Sequence, residues 1–281
     1  LPEYSKSTVF NVRWNHSKDP KSSPNSTFSA SVNFGSSDYF RQSVNQLNTP
    51  NFLNNNLSSS ISYSKSFPEY PRVNVSLTTA MSQNSQSKAV NLTLPTLQTT
   101  MERIFPFAPK NSAAKGFFQN INFQYAGRAE NRIITTEEKL FGPMMFDNAK
   151  YGMRHTIPLS TNFKLLKYLS VSTSANYNEV WTQNLIKYND FDIETNSIKK
   201  DTINKIGAFR EYSFSASMGT TIYGTVNFSE DKKIQSIRHT IRPSISYSNR
   251  PSFEQYYDTY IIDADGNTAE YTRYQNSLFG V

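Results

Sequence analysis

The sequence has no cysteine, which excludes a disulfide framework and any cysteine-ligated metal site. Glycine is scarce, with 10 residues among 281, and no repeat of about 20–50 residues recurs, so a glycine-rich β-solenoid is disfavoured. No stretch approaches the roughly 18 consecutive apolar residues that a membrane-spanning helix needs. These absences favour a fold made of β-strands, which a sequence shows as apolar residues at every second position.

The charge balance is mildly basic, with 29 Lys and Arg against 22 Asp and Glu, for a net charge of +7. The basic residues are scattered through turns and alternating segments, and no basic stripe with interleaved aromatic residues is found. We therefore predict no nucleic-acid partner. An acidic partner such as a phosphate group is compatible with this balance.

Aromatic residues are abundant for so polar a chain. The 17 Tyr and 20 Phe bring the aromatic fraction to 14%, although the mean hydropathy is −0.59. In a transmembrane β-barrel only alternate residues face lipid, so the strands can be rich in aromatic residues while the mean hydropathy stays low. The composition therefore favours an all-β fold built as an antiparallel transmembrane β-barrel.

Apolar and polar residues alternate at every second position through most of the chain. The segment LSSSISYSKSF, residues 57–67, has a serine at every even position from Ser58 to Ser66, a pattern that a helix cannot use. About ten or eleven segments of this kind are found, and most are long enough for a tilted strand that crosses a hydrocarbon layer with roughly 9–11 residues. We predict about 10–11 strands from this pattern.

The lengths of the predicted connections alternate along the chain. In order they are 16–25, 36–56, 68–71, 83–87, 96–116, 129–150, 164–168, 183–208, 229–234 and 249–270. Every second connection from 36–56 onward is long except 83–87, and the others are short except 96–116. Bacterial outer-membrane barrels have short periplasmic turns and long external loops, so this sorting favours a barrel over a soluble sandwich.

One motif occurs twice, as MRHTIPLS at 153–160 and as IRHTIRPSISYS at 237–248. In an extended chain the second copy divides into two faces. These are Ile237, His239, Ile241, Ile245 and Tyr247 on one face, and Arg238, Thr240, Arg242, Ser244 and Ser246 on the other. Pro158 and Pro243 each remove one donor from a strand ladder, so we predict local weak points there.

The same alternation places four arginines on the polar face: Arg13, Arg154, Arg238 and Arg242. One interpretation is structural, with arginines in a hydrated lumen paired to acidic groups from loops or a plug. The other is a basic lining that guides an anionic amphiphile through charge-assisted contacts with phosphate. The sequence does not separate the two.

No residue pattern typical of catalysis or metal binding is found. His16 is assigned to a turn, while His155 and His239 fall on the apolar face with their neighbouring serines pointing away, which disfavours a lipid-facing Ser/His hydrolase. The segment DADGN, residues 263–267, lacks the spacing and the distal Glu of a calcium loop and is typical of a tight turn at Asp265–Gly266. We predict that the protein is not an enzyme and has no cofactor or metal.

Five segments together resemble the barrel of the LptD family, the outer-membrane lipopolysaccharide-assembly proteins, in its Bacteroidota form. They are RWNHSKDPKSSPNSTFSASVNFGSS (13–37), SSSISYSKSFP (58–68), VNLTLPTLQTTMERIFPF (90–107), YGMRHTIPLSTNFKLLKYLSVSTSANYNEVW (151–181) and IRHTIRPSISYSNRP (237–251). The RHTI segments, the LP-x-L…PF segment and the FKLLKYLSVS hairpin are the specific parts. The serine alternation alone is compatible with many barrels.

The resemblance implies a function in lipopolysaccharide transport. An intact protein of this kind receives lipopolysaccharide from a periplasmic Lpt bridge through an N-terminal jellyroll and releases it into the outer leaflet through a lateral seam between the first and last barrel strands. It also implies an LptE-like plug lipoprotein in the lumen, outer-membrane lipids as neighbours, and a location in the cell outer membrane as a multi-pass β-barrel.

The sequence departs from the complete family pattern. It shows no jellyroll, no recognisable gate strand and no cysteines that match the disulfides of the proteobacterial form. We therefore expect residues 1–281 to be part of a single outer-membrane β-barrel domain, with the N-terminal jellyroll and the terminal gate strands absent, and we assign no gate residues.

Two other functions stay open on the residues alone. Another outer-membrane transporter or porin, including the TonB-dependent type, shares the barrel pattern but not the RHTI segments. A soluble β-rich surface adhesin is the third possibility, although it gives no reason for the sorted loops.

Overall fold

The computed structural model describes residues 9–42, 56–109, 116–229 and 233–280. The strands in this part are β1 (Asn11–Ser17), β2 (Ser26–Gly35), β3 (Asn56–Phe67), β4 (Val73–Asn84), β5 (Ala89–Ile104), β6 (Asn122–Thr136), β7 (Lys150–Leu165), β8 (Leu169–Thr182), β9 (Leu185–Tyr188), β10 (Lys200–Ile203), β11 (Gly207–Gly219), β12 (Ile222–Asn227), β13 (Ser236–Ile241), β14 (Ser244–Asn249), β15 (Tyr257–Ile261) and β16 (Thr268–Thr272). In the same residues, helical structure is limited to short pieces: α1 (Ser37–Gln42) and 3-10 turns at Pro20–Ser22, Glu137–Lys139, Pro143–Phe146 and Glu254–Tyr256. Within these residues no helix has the length and apolar character needed to cross a membrane.

Ten strands form one antiparallel sheet in the order β1-β2-β3-β4-β5-β6-β7-β8-β11-β14. Consecutive strands are neighbours as far as β8, so this part of the sheet is an antiparallel meander with local connections. In the described part of the chain β1 and β14 are edge strands that do not pair with each other, so the sheet is not closed. The all-β fold and the incomplete antiparallel sheet confirm the predicted fold class.

The two faces of this sheet differ in chemistry, as the alternation predicts. Cross-strand pairs such as Trp14 with Val32 and Tyr63 with Leu77 keep apolar residues in phase on one side, here called the apolar face. Many of its side chains are exposed, for example Leu77 with 43% of its surface accessible. Soluble monomers rarely expose contiguous apolar patches beyond a few hundred Å², so a surface this extended is typical of a face that contacts a membrane or another protein.

Serines and other small polar residues occupy the opposite side, here called the polar face. Their hydroxyl groups bond across neighbouring strands, with 2.7 Å between the Oγ atoms of Ser29 and Ser62 and 2.7 Å between those of Ser174 and Ser215. Such cross-strand hydroxyl pairs contribute a few tenths of a kcal/mol to about 1 kcal/mol each. The serine alternation therefore has a direct role in pairing the strands.

The predicted sorting of the connections is retained in the structure. The connections 137–149 and 183–206, the segment after β14, the end of β2 and the start of β3 lie at one end of the sheet, here called the loop end. The opposite end carries the short turns at 18–25, 68–72 and 166–168. Two connections again depart from this sorting. The short turn 85–88 lies at the loop end, and the long connection from β5 to β6 starts and finishes at the opposite end. Residues 43–55, 110–115 and 230–232 of the predicted connections lie outside the described residues.

Two small hydrophobic clusters lie at the loop end. On the apolar face, the 137–149 connection places Met145 and Ala149 against three strand residues, Val90, Leu92 and Ile133. On the polar face, a second cluster contains Val180, Leu185, Phe209 and Tyr274. The long connections therefore fold back on the sheet and cover part of both faces.

Two strands are longer than the sequence pattern predicts. The alternation of Val90, Leu92 and Leu94 predicts a short fifth strand that ends at Pro95, but β5 continues to Ile104. Its register with β6 shifts between Thr93 and Thr96. The bulge accommodates the missing proline donor, so the strand is not terminated. β6 likewise extends to Thr136, into residues 129–150 that were predicted as a connection.

Three further expectations are corrected. His16 lies in β1, not in a turn, and its ring stacks on Trp14 at 6.1 Å and contacts Phe28 at 5.7 Å. The predicted loop 183–208 contains the hairpin β9–β10, and the predicted loop 249–270 contains β15 and the start of β16. The final segment YTRYQNSLFGV, residues 271–281, is predicted to start another strand, but Tyr271 and Thr272 form the end of β16 and turns follow from residue 273.

The two prolines of the repeated motif interrupt pairing as predicted. Pro158 pairs with Asn176 on β8, but the ladder between β6 and β7 has a gap at its level. Pro243 separates β13 from β14, yet the Gly219–Ser244 and Ile222–Ile241 pairs have the same register. β12–β13 therefore continues the β11–β14 hairpin on the other side of the proline.

The turn at Asp265–Gly266 is also confirmed. Gly266 has φ of +82°, and Asp263 Oδ1 accepts hydrogen bonds from the backbone N–H groups of Asp265 and Asn267. The Asn267 side chain donates to Asp263 Oδ2 at 2.7 Å, and these donors, the Asn267 side chain first, hold the pKa of Asp263 below its usual value. The carboxylate is thus used to close the β15–β16 hairpin.

Candidate functional site

The four predicted arginines all belong to the alternating segments, but the structure does not bring them together. Arg13 lies in the edge strand β1 opposite Asn33, whereas Arg154 lies six strands away in β7. Arg238 lies in β13, and Arg242 lies in the break before β14, both toward the end opposite the loop end. A continuous lining made from these four side chains stays a prediction.

Two of these arginines pack against aromatic rings. The guanidinium carbon of Arg238 lies 4.3 Å from the ring centre of Tyr223, and that of Arg154 lies 5.5 Å from the ring centre of Phe279. Such cation–π contacts are worth about 0.5–1 kcal/mol at exposed sites. Within the described part of the chain, none of the four predicted arginines forms an ion pair with an acidic side chain.

Arg154 belongs to a larger group of charges on the polar face, here called the basic patch. Its members are Arg128, Glu130 and Arg132 on β6 together with Lys150 and Arg154 on β7. Arg128 is directly opposite Arg154, Arg132 is opposite Lys150, and Glu130 lies between them opposite Gly152. Four cations therefore surround one carboxylate on two neighbouring strands.

The carboxylate of Glu130 is buried, with 2% of its side chain exposed, and both of its oxygens are occupied. Arg128 donates to Oε2 from Nε at 3.0 Å and from Nη2 at 2.6 Å. Arg132 donates to Oε1 from Nε at 3.1 Å and from Nη2 at 2.7 Å. The third nitrogen, Nη1, of each arginine has no partner among the described residues, and about half of each arginine side chain is exposed.

This arrangement is suited to binding an anion. Glu130 fixes the planes of two guanidinium groups, while the nearby Lys150 and Arg154 have no acidic partner in the described structure. Arginine binds phosphate through paired, charge-assisted hydrogen bonds, which are about twice as strong as neutral ones. In the part of the chain that is described, no group of three or more His, Asp or Glu side chains is placed to hold a metal ion.

The sequence prediction found one member of this patch and missed the others. Residues 129–150 were assigned to a connection, although the segment GRAENRI (127–133) alternates charged residues at 128, 130 and 132 with Ala129, Asn131 and Ile133. This period of two is the signal that identifies the strand. The alternation does not show how β6 and β7 pair, and it is this register that places Arg128 beside Arg154.

A segment after β16, residues 273–280, lies over the polar face beside the basic patch. Tyr274 packs against Phe209, with ring centres 5.0 Å apart, and its hydroxyl donates to the carbonyl oxygen of Ala208 at 2.9 Å. Burial raises the pKa of Tyr274 above its usual value, so the hydroxyl stays protonated and able to donate. Together with the Phe279 contact to Arg154, this anchors the segment at two points.

Two glycines make room for this segment. A Cβ on Gly207 lies 2.9 Å from Tyr274 Cε1 and 2.7 Å from Leu185 Cδ2, closer than real Cβ contacts. A Cβ on Gly152 lies 3.2 Å from Phe279 Cε2. The close approach of the segment to the sheet therefore depends on the absence of side chains at these strand positions.

We expect Gly207→Ala to loosen the 273–280 segment, because the added methyl group collides with the packed ring of Tyr274. Overpacking of this kind costs about 1–3 kcal/mol, so amide exchange in the segment should accelerate roughly tenfold. Hydrogen-exchange mass spectrometry of the full-length protein measures this. Gly224→Ala is the matched control, since nothing lies within 4 Å of its Cβ position. Equal exchange in both variants contradicts the proposed packing constraint.

Comparison with known proteins identifies one family. The family profile described as LptD protein matches residues 1–281, the whole chain. Neither the curated proteins nor the solved structures give a significant match. The two-faced antiparallel sheet and the match along all 281 residues lead to one conclusion: this chain belongs to the LptD family.

Proposed function

We propose that this chain forms part of the wall of an outer-membrane β-barrel that delivers lipopolysaccharide to the outer leaflet, as the barrel of an LptD-type translocon. Membership of the LptD family supports a role in lipopolysaccharide transport. The observation that carries the proposal is the basic patch on the polar face of a sheet whose other face exposes apolar side chains.

The physical requirement is set by the cargo, which is an amphiphile. Its phosphorylated sugars need a hydrated, cationic surface, and the patch of Arg128, Arg132, Arg154 and Lys150 supplies one. Its acyl chains need contact with lipid, which lies against the apolar face of the same sheet. A barrel wall keeps these environments apart because its backbone groups are paired within the sheet. Transport of this kind breaks no covalent bond, so the proposal includes no catalytic residues.

The partners in this proposal follow from the family. They are lipopolysaccharide itself, an LptE-like plug lipoprotein in the lumen, and a periplasmic Lpt bridge that connects through a jellyroll in the complete protein. The motifs around 153–160 and 237–248 resemble the Bacteroidota form, so we propose a Gram-negative cell of that kind as the setting. The polar residues along the polar face give a plug a hydrogen-bonding surface to contact.

Depletion of the full-length protein tests the function. We expect newly made lipopolysaccharide to stay in the periplasm or inner membrane, measured as loss of its accessibility to an antibody added outside the cell. Re-expression of the natural protein should restore surface delivery, and an R128Q/R154Q variant should restore it incompletely because the patch loses half of its cations. Normal surface delivery after depletion rejects the proposal.

Membrane integration has its own control. An integral barrel should resist extraction by high salt or alkali, dissolve in detergent, and show heat-modifiable mobility on gels. Release of the protein by salt alone points instead to a peripheral surface protein. The same assay confirms that the R128Q/R154Q variant is assembled before its transport is measured.

A further inference from the structure

Charged residues are scarce on the apolar face, yet Glu179 on β8 and Arg210 on β11 lie directly opposite each other there. The two side chains form an ion pair, with 3.2 Å between Arg210 Nε and Glu179 Oε1. Glu179 Oε1 also accepts from Trp181 Nε1 at 2.8 Å, and Oε2 accepts from the hydroxyl of Tyr177 at 2.6 Å. Two hydrogen bonds and one ion pair therefore satisfy the carboxylate, and the ion pair keeps Arg210 beside it.

The remaining donors of Arg210 point to a ligand. Its terminal nitrogens Nη1 and Nη2 have no hydrogen-bond partner among the described residues, and 60% of its side chain is exposed. On a membrane-facing surface, donors of a charged group without partners are costly unless they meet water or an anion. An arginine on a lipid-facing surface is costly at the midplane of a membrane and far less costly near its interfaces.

The position of the pair agrees with an interface. Glu179 is three residues from the end of β8 and Arg210 is three residues after the start of β11, at the loop end of the sheet. Tyr177, Trp181 and Tyr212 flank them, and such aromatic residues form girdles at membrane interfaces. Long connections face outward in bacterial barrels, so this interface is that of the outer leaflet.

An apolar groove adjoins the charged pair. It has a volume of about 430 Å³ and is lined mainly by Leu77, Pro95, Leu97, Ala129, Tyr151, Met153, Trp181 and Ile206. Trp181 joins the two features, since its ring lines the groove and its Nε1 donates to Glu179. Arg210 is one strand further along, on β11. The guanidinium of Arg210 and the apolar groove therefore lie next to each other on the apolar face.

We propose that this surface binds one phosphorylated lipid of the outer leaflet, with a phosphate on the Nη atoms of Arg210 and an acyl chain in the groove. The inference rests on the proposed function, because that function places the apolar face in the outer membrane. Under it, the occupant is lipid A of lipopolysaccharide already delivered to the outer leaflet. The site differs from the basic patch, which lies on the opposite face of the sheet.

The test is lipid binding to the full-length protein in detergent, counted by native mass spectrometry. The probes are lipid A with its phosphates and lipid A from which they have been removed. We expect the phosphorylated form to bind about tenfold more tightly, the typical size of one charge-assisted contact, and Arg210→Gln to abolish this preference. Arg250→Gln is the matched control, since Arg250 pairs with Glu211 on the polar face and should keep the preference.

The groove is tested separately with Ala129→Phe, which fills it, against Ala126→Phe on the polar face of the same strand. We expect Ala129→Phe to weaken binding of both lipid forms about equally and Ala126→Phe to change neither. Heat-modifiable gel mobility identifies variants that fail to assemble. If Arg210→Gln fails to assemble, Arg210→Lys replaces it. This variant keeps the charge, and we expect its preference for phosphorylated lipid A to lie between that of the natural protein and none.

Equal binding of the two lipid forms by the natural protein, or an unchanged preference in Arg210→Gln, overturns the lipid site. Failure of the transport function has a different signature. Surface delivery of lipopolysaccharide then continues after depletion, while the Arg210-dependent preference for phosphorylated lipid A persists in the purified protein.

Discussion

Glu130→Ala should lower the free energy of unfolding of the assembled barrel by about 2–3 kcal/mol, somewhat less than the roughly 3–5 kcal/mol typical when one partner of a fully buried ion pair is removed. The carboxylate is almost completely buried, so its removal leaves Arg128 and Arg132 without a counter-ion beside Arg154 and Lys150. The arginines are about half exposed and keep part of their hydration, which limits the loss. Urea unfolding of the full-length protein, followed by heat-modifiable gel mobility, measures the change.

Glu102→Ala is the matched control. Glu102 also pairs with an arginine, Arg72 at 3.0 Å, but more than half of each side chain is exposed. Exposed pairs typically contribute about 0.2–1 kcal/mol, so this variant should unfold close to the natural protein. If the two variants lose the same stability, burial of Glu130 does not determine the energetics of the basic patch.

Ala175→Arg should destabilise the protein by about 2–4 kcal/mol, because it places a guanidinium on the apolar face near the middle of β8, where the proposed barrel meets the hydrocarbon core. Ala175 is flanked across the strands by Leu159 and Phe214, both apolar. An arginine there has no water or acidic partner at this depth. The measurement is the fraction of protein that assembles into the membrane with heat-modifiable mobility, together with its urea midpoint.

Ser174→Arg provides the comparison, since Ser174 is the adjacent residue and lies on the polar face opposite Ser160 and Ser215. The change adds the same side chain to a hydrated surface and should alter the free energy of unfolding by about 0.5 kcal/mol or less. A larger loss in Ser174→Arg than in Ala175→Arg means that the faces are assigned the wrong way round. The proposed transport function and the lipid site then lose their common basis.

The strands were largely predictable because their signal is local. The alternation in 57–67 depends only on neighbouring residues, and it corresponds to β3 with its serines on one face. Where the signal was misread, a single residue type was given too much weight. Pro95 is predicted to end a strand, but a bulge accommodates it, and Glu130 and Arg132 fall in the predicted connection 129–150 although they belong to an alternating segment.

The basic patch was not predictable from the sequence in the same way. Arg154 was identified, but its neighbours Arg128 and Arg132 depend on the register between β6 and β7, which the irregular 137–149 connection does not specify. The burial of Glu130 likewise depends on contacts across strands. The four arginines predicted from the alternation lie on strands far apart in the sheet. Residues on the same face of different strands therefore need not lie close together.

By itself the sequence determined that the chain is a set of two-faced antiparallel strands, that its long connections gather at one end, and that it resembles the LptD family. Each of these follows from residues close together in the chain, where the period of two and the turn positions are set by backbone geometry. The tertiary structure decided which charges meet, where the 273–280 segment packs on Gly152 and Gly207, and that Arg210 adjoins an apolar groove. These features depend on register and packing between residues far apart in sequence, and the alternation pattern carries no information about such distances.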